Sequence, residues 1–133
     1  MLKRFTVLVL LAACLSLAGC KKDAQINAVV AELDSFTTEL VKKVESAPNP
    51  SAGVDDAQKF FDSKKAEMTA KMATLKGSHG GNETTSKMNA SLLENNKKVA
   101  GLQIKYISVS LDDPVFKSKL EKLIRDYQTL FKL

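Results

Sequence analysis

The chain has 133 residues, of which 44% are hydrophobic, and a formal net charge of +5 at pH 7. This length suits one domain with one hydrophobic core. The positive charge does not indicate a nucleic-acid partner, because the lysines are scattered among acids and no basic cluster carries interleaved aromatic residues. The chain has one histidine, and no carboxylate is spaced to orient its ring as a nucleophilic triad requires.

The N-terminal segment is basic and then uncharged. Lys3 and Arg4 precede a run from Phe5 to Gly19 without any charged residue, and Lys21 and Lys22 follow it. This order is typical of a secretory signal peptide. The run is too short for a transmembrane helix, which needs ~20 apolar residues.

The run ends in Leu17, Ala18, Gly19 and Cys20, which resemble the lipobox of bacterial lipoprotein precursors. The resemblance implies cleavage after Gly19, acylation of the Cys20 sulfur, and an extracytoplasmic domain held at the membrane by its lipid. In lipoproteins of hosts with two membranes, an Asp directly after the cysteine retains the protein in the inner membrane. Lys21 occupies that position here and favours the outer membrane.

A second lipobox match precedes the first. Leu11, Ala12, Ala13 and Cys14 also fit the pattern, but cleavage there would halve the apolar run and leave the rest of it as an overhang. We therefore favour Cys20. The alternative is a membrane or core helix that contains two inert cysteines.

The lipobox divides the chain into three parts. We expect a signal peptide in residues 1–19, a lipidated N-terminus with a short tether in residues 20–23, and a helical bundle in residues 24–133. Removing residues 1–19 lowers the formal charge from +5 to +3, because this segment contains two basic residues and no acid.

Apolar residues at steps of three and four predict the first two helices. The first runs from Asp23 to Ser46 and ends at "APNPSAG", where prolines and glycine interrupt helical structure. The second begins near Val54 or Asp55 and stops at "GSHGG". The seam of the first contains Ile26, Val29, Val30, Leu33, Phe36, Leu40, Val41 and Val44, and that of the second contains Ala57, Phe61, Met68, Met72 and Leu75.

Two further helices follow. The third is predicted from about Glu83 to Ser110, with Asn95 and Asn96 interrupting its seam. These asparagines either specify the register of the bundle or face solvent. The last third of this helix is β-branched and alternating, so that a strand competes there, but a single strand would have no partner. Asp113 before Pro114 predicts the start of the fourth helix. Four helices of comparable length predict an all-α fold, an antiparallel up-down-up-down four-helix bundle.

Methionines and the histidine form the most suggestive chemical group. Met68 and Met72 lie one helical turn apart, Met88 lies on the next helix, and His79 lies in the loop between them. Thioethers and an imidazole could bind Cu(I) or haem. Methionine is also a common filler of apolar cores, and we favour core packing.

These observations predict a lipid-anchored, extracytoplasmic protein of the bacterial envelope, without a cofactor and without catalytic activity. We expect it to act through contact with an unidentified envelope protein. Two alternatives remain open: a copper- or haem-binding protein that uses the methionine-rich end, and a coiled-coil homo-oligomer in place of a monomeric bundle.

Overall fold

The computed structural model describes the backbone of residues 2–132 and the side chains of residues 20–132. Within this range every regular element is a helix and no strand occurs, so the predicted all-α class is confirmed. The helices are α1 (Leu2–Ser46), α2 (Pro50–Lys76), α3 (Asn82–Lys105), α4 (Ile107–Asp112) and α5 (Pro114–Gln128), followed by a 3₁₀ turn at Thr129–Phe131.

The break between α1 and α2 is shorter than predicted. The Asn49 side chain accepts hydrogen bonds from the backbone N–H of Ser51 at 2.8 Å and of Ala52 at 3.3 Å. Pro50 occupies the first turn of α2, where its missing N–H leaves no helical hydrogen bond unmade. The prediction that α2 begins near Val54 is therefore wrong, because Pro50 starts the helix.

Asp113 caps α5 as the sequence predicts. Its carboxylate accepts hydrogen bonds from the backbone N–H groups of Val115 and Phe116, both at 3.0 Å, with Pro114 in the first turn. Removing a cap of this kind costs about 1 kcal/mol.

The single third helix predicted over residues 83–110 is wrong, because the helix is interrupted at Tyr106. There φ is −105° and ψ is 22°, outside the α-helical values, and α4 begins at the next residue. The Tyr106 ring packs against Phe116 of α5, with 5.7 Å between ring centroids. The β-branched residues that follow are weak helix formers, yet they remain helical and form no strand.

Helix α1 packs against α2 and α3, and α5 packs against α2, α3 and α4. Helix α1 contacts α2 near Val44, which Gly53 approaches, and near Glu32, which pairs with Lys71. The contacts between α1 and α3 follow the same direction along both helices, from Asp23 beside Gly81 to Glu45 beside Lys105. Helix α5 has 15 residues against 27 in α2, so the expectation of four helices of comparable length is wrong.

One cluster of buried side chains joins all the long helices. The Tyr127 ring lies parallel to Phe36 with 6.3 Å between centroids, and its buried hydroxyl shares a 2.6 Å hydrogen bond with Thr37. Burial raises the pKa of Tyr127 far above its ordinary value, so the hydroxyl keeps its proton. The buried apolar residues are Ile26, Val29, Leu33, Phe36, Leu40, Val44, Val54, Ala57, Phe61, Met68, Met72, Leu75, Val99, Leu102, Phe116, Leu120, Leu123, Ile124, Tyr127 and Leu130.

Candidate functional site: an exposed apolar groove opposite Cys20

Cys20 lies on α1 as an exposed free cysteine, followed by the exposed residues Lys21 and Lys22. The carboxylate of Asp23 accepts a 3.0 Å hydrogen bond from the backbone N–H of Gly81. The loop between α2 and α3 therefore lies at the same end of the domain as Cys20. We call this the Cys20 end.

The predicted cleavage site precedes the first described side chain, that of Cys20. Leu17, Ala18 and Gly19, and also Cys14, lie outside the residues whose side chains are described. Within the described residues, no helix is long and apolar enough to cross a membrane. Lipidation of Cys20 stays a prediction.

The methionine and histidine group is divided between the core and the surface. Met68 and Met72 are buried in the core cluster, and Met88 is half-buried against it. His79 is exposed in the loop at the Cys20 end. Among the described side chains, no three His, Cys, Asp or Glu residues are grouped so that they could hold a metal ion. Copper or haem binding stays a prediction.

Large apolar side chains are exposed where α3, α4 and α5 meet. Ile104 is 77% exposed, Ile107 58%, Leu111 79% and Val115 64%. Ile107 and Leu111 lie one turn apart on α4 and Ile104 lies in the last turn of α3, so the three side chains form one apolar face across the break at Tyr106. A face of this kind is normally buried against a partner, and here it is open to solvent.

Ile104, Ile107 and Leu111 border a groove of about 370 Å³ between the α3–α4 segment and α5. The α3–α4 side combines these apolar residues with two polar ones, whereas α5 contributes one apolar and two charged residues. It is lined by Gln103, Ile104, Ile107, Ser110, Leu111, Lys117, Leu120 and Glu121. We call this surface, together with Val115, the distal groove.

The distal groove lies at the end of the domain opposite Cys20. Helix α3 begins beside Asp23 and continues along α1 until Lys105 pairs with Glu45 at 2.6 Å. A helix of 24 residues spans ~36 Å at 1.5 Å per residue. The hydrogen bond to Glu45 raises the pKa of Lys105, and this contact holds the lysine toward α1.

The charges beside the groove are one lysine and one glutamate on α5. Lys117 is exposed, and none of the ion pairs among the described side chains includes it. Glu121 lies one helical turn further, 3.8 Å from Arg125. Both sides of the groove are therefore accessible to a partner that carries apolar groups and complementary charges.

Helical spacing alone did not predict this groove. It places Tyr106 and Val109 on the buried seam of the predicted third helix, and both are half-buried against the core. Ile104, Ile107 and Leu111 lie outside that seam, so the segment contains more large apolar residues than one buried face accommodates. That excess was the signal present in the sequence.

A polar cluster between α1 and α3 is the other feature that could have a specific role. Asp34 accepts hydrogen bonds from Ser91 at 2.6 Å and from the Nδ2 group of Asn95. Asn95 is only 1% exposed, and its Oδ1 atom is buried without a hydrogen-bond partner among the described residues. These bonds favour one alignment of α3 along α1 because a shift by one turn would leave buried polar groups unpaired.

No protein-family model matches the chain, and neither a curated protein nor a solved structure matches it.

Proposed function

We propose that this protein is a lipid-anchored, extracytoplasmic helical-bundle lipoprotein of the bacterial envelope, and that it acts by binding a protein through the distal groove. The protein would be acylated at Cys20 and would catalyse no reaction. The exposed apolar face at residues 104–115 is the observation that carries the binding role. A contiguous apolar patch on a protein surface is often an interaction site.

The position of the groove relative to Cys20 supports this role. Acyl chains on Cys20 would hold the Cys20 end against the lipid, since two chains suffice for stable anchoring. The exposed Lys21 and Lys22 would add attraction to anionic headgroups. The distal groove would then face away from the membrane, where a protein partner can reach it.

The proposed fold is an antiparallel up-down-up-down bundle that follows a cleaved signal peptide, and the helix contacts support the antiparallel arrangement of the bundle. Helix α2 contacts α1 in the reverse chain direction, and α3 contacts α1 in the same direction. Helix α5 lies diagonally across the core from α1, where Tyr127 reaches Thr37. Such a rigid support keeps the groove at a fixed height above the membrane.

Membrane fractionation tests the anchor. In the native host, we expect the wild-type protein to partition into the detergent phase and the Cys20→Ala variant to leave it. The Cys14→Ala variant is the matched control and should behave like the wild type. Equal partitioning of the Cys20 variant and the wild type would overturn the anchoring role.

Photo-crosslinking in intact cells tests the binding role. A photoreactive residue at Ile107 should yield a discrete protein adduct, because this side chain borders the groove. The same residue at Ala66, which is exposed on α2 outside the groove, serves as the control. Equal or absent adducts at the two positions would exclude the groove as a binding surface.

A further inference from the structure

We propose that the distal groove binds a second copy of this chain, so that two anchored molecules form a reversible symmetric dimer. This inference rests on the proposed function, because it names the partner of the same groove. Three features of the groove support it: the spacing of its apolar residues, the charges beside it and its size.

The apolar residues form a face that can pack against itself. Ile107 and Leu111 lie one turn apart on α4, and Ile104 at the end of α3 borders the same groove, so three exposed apolar side chains form one continuous patch. A two-fold axis brings the same patch of both molecules together, so each copy supplies the face that the other lacks. Val115 extends this patch onto the start of α5.

The charged residues beside the groove can pair with those of a second copy across a two-fold axis. Lys117 and Glu121 lie one turn apart on α5 and do not pair with each other, although their spacing would permit it. In a two-fold dimer, Lys117 of one copy can approach Glu121 of the other, and symmetry repeats the pair. Charges of this kind flank the seams of paired helices and determine the choice of partner.

The size of the patch fits a reversible dimer. Its four exposed apolar side chains form a patch on the order of a few hundred Å². A stable interface buries ~800 Å² on each partner, so the apolar part forms the centre and polar neighbours such as Gln103 and Ser110 complete the edge. Anchoring both copies in one membrane would raise their local concentration and favour association.

Cysteine crosslinking of the full chain in native membranes tests the contact. The Leu111→Cys variant, oxidised with diamide, should give a covalent dimer. The Ala66→Cys variant is the matched control, since it has the same Cys20 background and an exposed cysteine outside the groove. A dimer yield for Leu111→Cys no higher than that of the control would overturn the proposal.

A charge swap separates a second copy from a different partner. The single variants Lys117→Glu and Glu121→Lys should each lower the Leu111→Cys dimer yield by roughly tenfold, because symmetry doubles each repulsive contact. The double variant should restore the yield, since each new lysine again faces a glutamate. A double variant that stays as low as the single variants would contradict pairing between copies.

The two proposals fail in different ways. An adduct of another size at Ile107, with no Leu111→Cys dimer, would overturn the dimer and leave the protein-binding role intact. Absence of both products would overturn the two together. A dimer that persists in the Cys20→Ala variant would support the contact while removing the role of the anchor.

Discussion

Replacing Gly53 with alanine tests how closely α2 approaches α1. No glycine in the described part of the chain has a positive φ, so Gly53 is needed for space and not for its backbone conformation. A Cβ atom at this position would lie 2.7 Å from the Val44 carbonyl oxygen, 3.0 Å from that of Lys43 and 2.9 Å from the Ala47 Cβ. Because two of these atoms belong to the backbone, the helices must move apart.

Gly101 provides a matched control. It also lies inside a helix, but a Cβ atom there would meet nothing within 4 Å. Alanine stabilises a helix interior by about 1 kcal/mol relative to glycine, and overpacking a tight contact costs ~1–3 kcal/mol. We expect Gly101→Ala to raise the free energy of unfolding by about 1 kcal/mol. The free energy of unfolding of Gly53→Ala should be ~1–3 kcal/mol lower than that of Gly101→Ala, and this difference measures the cost of the close contact.

Urea unfolding of residues 21–133, followed by circular dichroism, measures both variants. The difference should appear in the midpoint with an unchanged slope, because neither change alters the surface exposed on unfolding. A Gly53→Ala protein as stable as Gly101→Ala would refute the close approach of α2 to the end of α1.

Three further predictions concern the core, the pH dependence and the methionines. Tyr127→Phe should lower the free energy of unfolding by ~1–3 kcal/mol, since it leaves the buried Thr37 hydroxyl unpaired; adding Thr37→Val should recover part of the loss, as urea midpoints would show. Burial raises the pKa of Asp126, but hydrogen bonds from Lys122 and Gln58 outweigh it, and the net pKa lies below its ordinary value. A carboxylate whose pKa is lower in the folded state stabilises the protein at pH values above ~3.9, which is its pKa in the unfolded chain. This contribution disappears as the pH falls through the pKa of the folded state. The midpoint of Asp126→Asn should therefore lie below the wild type at pH 7 and approach it below about pH 4. Because Met72 is fully buried and His79 is exposed in a loop, haem titration should give no Soret shift.

A specific result would contradict each of these three predictions. A Tyr127→Phe variant that gains nothing from the second substitution would show that the hydroxyl pair is not the cause of the loss. A gap between the midpoints of Asp126→Asn and the wild type that does not shrink as the pH falls below about 4 would exclude the carboxylate as its origin. A Soret shift that disappears in His79→Ala would favour the haem-binding alternative.

Helical periodicity accounts for the parts of the fold that the sequence predicted. The seam of α2 from Ala57 to Leu75 is buried as expected, and so is that of α1 from Ile26 to Val44 except for Val30 and Val41, which are half-buried against the core. The cap at Asp113 was also predictable, because its chemistry is local. Local spacing identifies which face of a helix is buried, whatever partner covers it.

Other features depend on partners that are distant in sequence. A proline can end a helix or begin one. Pro50 begins α2, because the Asn49 side chain caps the helix at this point. The interruption of the seam at Asn95 was visible, but Asp34, which binds it, lies 61 residues away. The distal groove was missed for the same reason, since it results from the break at Tyr106 and the packing of α5.

The lipid anchor is best tested by the intact mass of the protein from the detergent-soluble membrane fraction of its native host. We expect a chain that begins at Cys20 and carries acyl groups in the wild type and in Cys14→Ala. The acylated mass should be absent from Cys20→Ala. An unprocessed wild-type chain of 133 residues with both thiols free would contradict the lipid anchor and the orientation of the groove that depends on it.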